Sequence, residues 1–519
     1  MKRSDFIKLS SAATLAYSVN GMPIHAFGQN GPMKVRSNNG KVLVIIQMSG
    51  GNDGLNTIIP IDKYSELSNA RSNILIDPQA VLPLTGQPNT GLHPAMSALQ
   101  QLYNDGKVNI VQGVSYPDPN FSHFRATDIF FSASASNVYE ETGWVGRYID
   151  SQFPGAPQAY PDPNFTSPLS IQIGSSVSSL FTGANGLNGL AVSNISNFYQ
   201  IVSGTVDPAP ATPAGNELTY IRFITQQTQA YTQAIQIAAN QGNNMATYPA
   251  NNNLASQLKI VARLIAGGLQ TPVYLVNIGG FDTHDNQVDQ NDNSLGQHAN
   301  LLRNLSEAIA AFQDDLTQLG KDDMVTGCTL TEFGRRVKSN GSGGTDHGSG
   351  GPMIFFGNNV NPYVIGSSPN LPANATVSDN VPMQHDFRQI YNTILCDWFD
   401  LDSNTAQGVL SGYTAPILPI FKYAVGTDNI PQVPQQLSLE QNYPNPFRDH
   451  TIIRFTTSGG AVQITLFDEM GRKMRVLYEN HVPAGTFDIG VERNGLPAGY
   501  YFYEIHVGQQ RMSRKMVII

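Results

Sequence analysis

Asp346 and His347 stand side by side in a glycine-rich stretch running from Gly343 to Gly351. A carboxylate next to an imidazole on freely bending backbone suits a divalent cation, because both side chains can turn toward one ion. Taken alone, such a pair is more often part of a solvated Gly/Ser loop. Three further clusters change that balance. Asp53, Ser122 with His123, and Asp282 with His284 each follow a strand-like apolar run, and His385 precedes a helical stretch that opens at Asp386. One metal takes three or four ligands and two metals about six. The aspartates 53, 282 and 346, the histidines 284, 347 and 385 and the Ser122 hydroxyl therefore suffice for a two-metal centre. Each also has an ordinary structural use. Asp53 can close a turn or cap a helix, Ser122-His123 can bond within its loop, and Glu332 can pair with Arg335 or Arg336. His93 and His298 read as residues of helix starts, and His450, His481 and His506 as surface residues.

The elements that must bring these residues together are legible as a pattern. Val42 to Ile46 is a continuous β-branched run, as expected of a strand buried on both faces of a parallel sheet, and it ends in the sharp turn Ser49-Gly50-Gly51-Asn52-Asp53-Gly54. Further strands are expected at Val108 to Val111, Val273 to Ile278, Met324 to Leu330 and Met353 to Phe356. Helices are expected around Ala95 to Leu102, Glu217 to Gln241, Asn252 to Gly268, His298 to Leu319 and Phe387 to Leu401. Residues 204 to 215 are Pro/Ala/Thr-rich and read as an exposed connection. Strands alternating with helices imply an α/β domain, a mostly parallel sheet with helices on both faces. In such a sheet the carboxyl ends of the strands share one edge, so residues distant in sequence can converge there. After a Pro/Gln-rich linker at 424–437, the segment 438–519 alternates in short strands with glycine turns, which suggests a small all-β sandwich.

Composition limits the partners. The 519 residues carry 30 basic and 39 acidic side chains, a formal charge of -9, without a sustained basic block, which argues against nucleic acid. Cys328 and Cys396 are too few for a disulfide scaffold; they either form one bridge or remain buried thiols. Residues 1–26 read as an export signal: Lys2 and Arg3, a short apolar run from Leu9 to Val19, and a small-residue cleavage site at Ile24-His25-Ala26. The stretch from Arg3 to Lys8 is similar to a twin-arginine leader with Ser4 in place of the second arginine. No segment reaches the roughly 18 consecutive apolar residues of a transmembrane anchor.

The ligand order resembles the alkaline phosphatase-like superfamily of sulfatases, phosphodiesterases and cofactor-independent phosphoglycerate mutases. More closely, the stretch Ser49 to Asn56, Ser122-His123-Phe124, Gly280-Phe281-Asp282-Thr283-His284, Glu332-Phe333-Gly334-Arg335 and Gly344 to Gly348 resemble a family of exported bacterial proteins, domain of unknown function 1501, related to that superfamily. The resemblance covers residues 40–402. It implies an alkaline phosphatase-like domain acting as a metal-dependent hydrolase of phosphate or sulfate esters, with an anionic ester substrate. Two divalent ions (zinc, calcium or manganese) would be held by Asp53, Asp346 and His347 on one side and Asp282, His284 and His385 on the other. Ser122 would be the nucleophile between them, and Glu332 and Arg335 would support the site or touch the substrate. The hydroxyl could equally be that of Thr57, and His123 could stand in for Ser122 at the metal. A non-catalytic surface binding or structural protein retaining the fold is the alternative.

The C-terminal segment resembles a type A sorting domain of Bacteroidetes type IX secretion, on Glu440 to Phe447, Leu466-Phe467-Asp468 with Gly471-Arg472, Leu496 to Phe502 and the closing Lys515 to Ile519. The resemblance implies recognition by the outer-membrane type IX machinery through 438–519, passage through the periplasm, and a secreted or outer-surface destination.

Overall fold

A computed structural model describes residues 40–193, 230–422 and 437–519 apart from 458–459, 483–484 and 508–509, together with two short strands near the N-terminus. Those strands, Tyr17–Val19 and Met22–Ile24, pair antiparallel. The rest of the expected leader, most of the expected helix at 217–241, the connection at 204–215 and nearly all of the expected linker lie outside the described residues. The chain divides into two compact units, Met1–Tyr423 and Ala424–Ile519.

The first unit is built on a nine-stranded sheet. In chain order its strands are β1 (Val42–Ser49), β2 (Val108–Ser115), β3 (Ser170–Ile173), β4 (Leu190–Val192), β5 (Val273–Gly279) and β6 (Val325–Leu330). A separate hairpin of β7 (Arg335–Ser339) and β8 (Thr345–His347) follows, and then the sheet resumes with β9 (Gly351–Gly357), β10 (Val364–Ile365) and β11 (His385–Asp386). The spatial order is β4-β3-β5-β1-β6-β9-β2-β10, with β11 also beside β2. Every neighbouring pair is parallel except those made by β9, which runs against both β6 and β2. The sheet is thus mostly parallel, and the carboxyl ends of β1, β2, β5 and β6 share one edge.

Burial explains why the apolar runs are unbroken. Val42, Val44 and Ile46 of β1 join one core, while Leu43 and Ile45 join another on the opposite face. The first core receives helices α1 (Ser97–Asn104), α2 (Asn253–Ala266) and α3 (Gln297–Gln318) through Leu99, Leu258, Val261, Leu302, Leu305, Ile309 and Phe312. The second is closed by Trp144, Tyr148, Ile390, Tyr391 and Trp398, with Trp144 stacked on Tyr391. Each fully buried aliphatic side chain contributes about 1.5–3 kcal/mol relative to exposure. The helix that opens at Phe387 changes at Ile394 into a five-residue π-turn, Ile394–Trp398, rather than continuing regularly to Leu401. Cys328 is buried and Cys396 half-buried, and both are free thiols.

The second unit contains a three-stranded antiparallel sheet (Ser438–Leu439, His450–Thr457, Gly485–Glu492) and a four-stranded one (Lys473–Val482, Gly460–Asp468, Gly499–Val507, Gln510–Ile518). Alternate residues of both sheets, among them Ile453, Phe455 and Val491 from the first and Ile464, Leu466, Tyr503 and Ile505 from the second, form one shared core.

Candidate metal centre

The edge formed by the carboxyl ends of β1, β2, β5 and β6 carries the chemistry. Ser49 of β1 is in register with Gly279 of β5, so the turn Gly50-Gly51 and the loop Gly280 to His284 leave the sheet side by side. They touch closely: Gly50 has φ +122°, and a Cβ there would lie 2.3 Å from the Asp282 nitrogen. The hairpin β7–β8 rises from the same edge between β6 and β9. Gly344 lets it meet the β5 loop, since a Cβ at that position would fall 2.4 Å from the carbonyl oxygens of Thr283 and His284. Asp346 and His347 therefore lie on a short strand, rather than on a free glycine loop.

Four side chains converge above this edge. His347 Nε2 lies 3.1 Å from Asp282 Oδ1 and 2.9 Å from His284 Nε2. His284 Nε2 is 3.2 Å from the same Asp282 oxygen, and His123 Nε2 is 3.5 Å from Asp282 Oδ2. The candidate ligand atoms of His123, Asp282 and His347 all lie within 4.8 Å of one another. His123 is the first residue of the helix His123–Ser132, whose start projects it over the edge.

Each imidazole has its other nitrogen fixed. His347 Nδ1 donates to the Phe121 carbonyl oxygen at 2.8 Å. His284 Nδ1 lies 3.1 Å from Asp346 Oδ1, which also accepts from Asn340. His123 Nδ1 lies 2.9 Å from Glu332 Oε1, which also accepts the Gly50 N–H at 2.7 Å. Acceptors on all three Nδ1 atoms leave the neutral rings with Nε2 lone pairs facing one another and the Asp282 carboxylate. Burial, the Arg335 charge and His123 shift the His347 pKa below its usual value against the pull of Asp282 and the Phe121 carbonyl, which favours the neutral ring. Burial acts to raise the Asp282 pKa, but the hydrogen bond from Arg335 and the Arg335 charge hold the carboxyl below the usual range. Asp346 is likewise lowered, chiefly by its bond from Asn340.

Convergence of lone pairs without a donor between them is unfavourable unless a cation sits there, so the donor set fits a metal ion. The contacts of Asp282 with His123 and His347, and of His347 with His284, at 2.9–3.5 Å, are near the spacing of about 3.3 Å between ligands that share an ion through ~2.0 Å bonds, and the mutually close set is His123, Asp282 and His347.

Other expected site residues lie elsewhere. Asp53 is fully buried, and its two oxygens accept from Arg71 Nη1 at 3.0 and 2.9 Å and from Gln287 Nε2 at 2.7 Å. Burial acts to raise its pKa, but the Arg71 and His298 charges and these bonds lower it overall. Asp53 is thus paired with a buried guanidinium. Arg335 is also buried, bonded to the carbonyl oxygens of Gly50, Gly51, Phe281 and Thr345 and to Asp282 Oδ1. Every one of its nitrogens is engaged, so it braces the loops that leave the edge. Glu332 is an acceptor that orients His123, a role suited to a carboxylate and unsuited to holding an oxyanion. His385, on β11, pairs in register with Val114 of β2 and lies beside Gly366; no contact joins it to the cluster among the described residues. Ser122 is exposed at the N-cap immediately before His123, with its backbone N–H on Asn120. Thr57 is buried, and its hydroxyl donates within its own turn. Arg71 and Gln287 carried no signal in the sequence. The first sits in a short, mostly polar helix, Tyr64–Arg71, and the second in an Asp/Asn-rich loop.

Residues 68–401 match the family model described as Protein of unknown function (DUF1501). The chain belongs to this family. Residues 441–519 match the Secretion system C-terminal sorting domain, a type IX sorting signal that implies export to the cell surface or secretion. No curated protein gives a significant match. Among solved structures, the chain is similar to a protein in the alkaline phosphatase superfamily from Vibrio parahaemolyticus, with 11% identity over 84% of this chain and 81% of that one and a TM-score of 0.32. The PsFucS1 sulfatase from Pseudoalteromonas sp. gives 11% identity over 88% and 84%, with a TM-score of 0.31. PorZ, a surface component of the type IX secretion system of Porphyromonas gingivalis, gives 16% identity, a TM-score of 0.12, and coverage of 16% of this chain and 11% of PorZ. No helix among the described residues is long and apolar enough to cross a membrane.

Proposed function

We propose that the first unit is a metal-dependent hydrolase of phosphate or sulfate esters, acting outside the cell membrane, with its ion held by His123, Asp282, His284 and His347. The observation that carries the ion-binding part is the fixed Nδ1 of all three imidazoles, which leaves the Nε2 lone pairs and a carboxylate facing one point. A divalent ion there would act as a Lewis acid toward an ester oxygen. Glu332 and Asp346 hold the His123 and His284 rings in the ligating tautomer, and the Phe121 carbonyl does the same for His347. Ser122, exposed beside His123, is the candidate nucleophile; otherwise solvent water attacks.

The ligand set differs from the two-ion arrangement implied by resemblance, because Arg71 neutralises Asp53 and His385 sits on β11. A single ion is the reading the side chains favour. The specific observation behind a non-catalytic binding protein is that no contact ties the Ser122 hydroxyl to the cluster among the described residues.

Metal analysis after dialysis, combined with turnover of aryl phosphate and aryl sulfate esters, tests the proposal. One bound ion per chain and turnover lost in His347→Ala are expected. Retained metal with no turnover of either ester class, or absence of both metal and turnover, would leave the non-catalytic binding or structural protein as the answer. Ser122→Ala should lower kcat more than tenfold if the hydroxyl attacks, and leave it within about twofold if water does.

A further inference from the structure

Gln287 touches no candidate ligand, yet it is wholly buried and every polar group it has is used. Its Oε1 accepts the Thr283 hydroxyl at 3.0 Å and the Thr345 hydroxyl at 2.8 Å, and its Nε2 donates to Asp53 Oδ2 at 2.7 Å. Its backbone N–H donates to the Gly343 carbonyl at 3.0 Å, and its own carbonyl accepts from the His298 N–H at 3.1 Å. The Asp53 carboxylate can only accept, so the amide orientation is set by chemistry: NH2 toward Asp53, oxygen toward the two hydroxyls.

The threonines give this arrangement its meaning. Thr283 lies between Asp282 and His284, and Thr345 immediately precedes Asp346 and His347. The Thr345 N–H also donates to the Thr283 carbonyl at 3.1 Å. One amide oxygen therefore joins the loop that supplies two candidate ligands to the hairpin that supplies the third and the carboxylate behind His284. Through Asp53 and Arg71 that join is anchored to the turn after β1. The spacing at issue is small, since His284 Nε2 and His347 Nε2 are 2.9 Å apart.

We infer that Gln287 is the positioning residue that sets the separation of the β5 loop and the β7–β8 hairpin, and so the bite of the centre on its ion. The inference rests on the metal-centre reading. Gln287 binds no metal; it acts through Thr283 and Thr345. Supporting groups of this kind shift metal affinity by roughly 10–100-fold when removed.

Cobalt(II) titration of the full chain, following the visible ligand-field bands, tests this without reference to catalysis. Gln287→Met keeps the volume and removes both amide groups; affinity should fall about tenfold or more, and the bands should shift. Thr345→Val removes one hydroxyl donor at nearly constant shape and should give a smaller change in the same direction, about threefold. Thr345→Ser restores the donor and should return wild-type bands. Should Gln287→Met fail to fold, the two Thr345 variants carry the comparison. A melting temperature lowered in Gln287→Met or Thr345→Val with cobalt affinity and bands unchanged would make Gln287 a core residue only and overturn the inference. Wild-type protein that takes up no cobalt would remove the metal-centre reading and this inference together, whereas a wild type that binds beside variants that match it removes the inference alone.

Discussion

A carboxylate behind an imidazole strengthens it as a ligand by pulling on the remote N–H, and Glu332 stands in that relation to His123. Glu332→Gln keeps an acceptor for the His123 N–H and the Gly50 N–H but removes the charge. Metal affinity should fall by about tenfold, measurable by competition with a chelating indicator. An unchanged affinity would mean that His123 is not a ligand. The meeting of Asp282, His284, Asp346 and His347 was readable from residue types. Asp53 shows what spacing leaves out. Its partner Arg71 follows 18 residues later in a stretch whose pattern looks like a solvated helix, and nothing local reveals that this arginine points inward. The pairing of a buried charge is a tertiary fact.

At the scale of elements, parallel strands were legible because burial on both faces demands unbroken apolar runs. The direction of β9 was not. Gly351 to Gly357 is as apolar as its neighbours, and an interior strand has the same pattern whichever way it runs. The cause lies just before it: the hairpin β7–β8 returns the chain to the edge it left, so the next strand starts there and runs back, whereas a crossover would have carried the chain to the opposite edge. The π-turn Ile394–Trp398 carries a separate prediction. Asp397 there is partly buried, its Oδ2 lacks a hydrogen-bond partner, and burial together with Asp400 pushes its pKa up to about 6 against the pull of Lys41. A raised folded-state pKa favours the protonated form. The associated stability is complete below the unfolded carboxylate pKa of about 4 and is lost as pH rises through about 6. Asp397→Asn should match wild type at pH 4 and melt higher at pH 7.5, by on the order of 1 kcal/mol after allowance for solvent screening. Thermal melts at the two pH values decide it; equal melting at pH 7.5 would remove the argument.

At the scale of the whole molecule, the change of pattern after Tyr423 separates an α/β unit from an all-β one, and each has its own core. Because the sorting signal lies in the second unit, chain ending at Tyr423 should fold and accumulate in the periplasm. Fractionation and immunoblotting check this, and surface delivery of the truncated chain would contradict the sorting role.

On the proposed metal-centre reading, the buried Arg71–Asp53 pair sets how the exported protein withstands scarcity of metal. A guanidinium cannot be chelated, diluted or exchanged, so the turn after β1 and the Gln287 junction keep their electrostatic anchor when the ion is withdrawn. Chelation should therefore empty the centre while lowering the melting temperature of the α/β unit by no more than a few degrees, and activity should return on adding the ion back without any refolding step. On the proposed reading, a protein so arranged could cross the cell envelope unloaded and take up its ion from the surroundings on arrival.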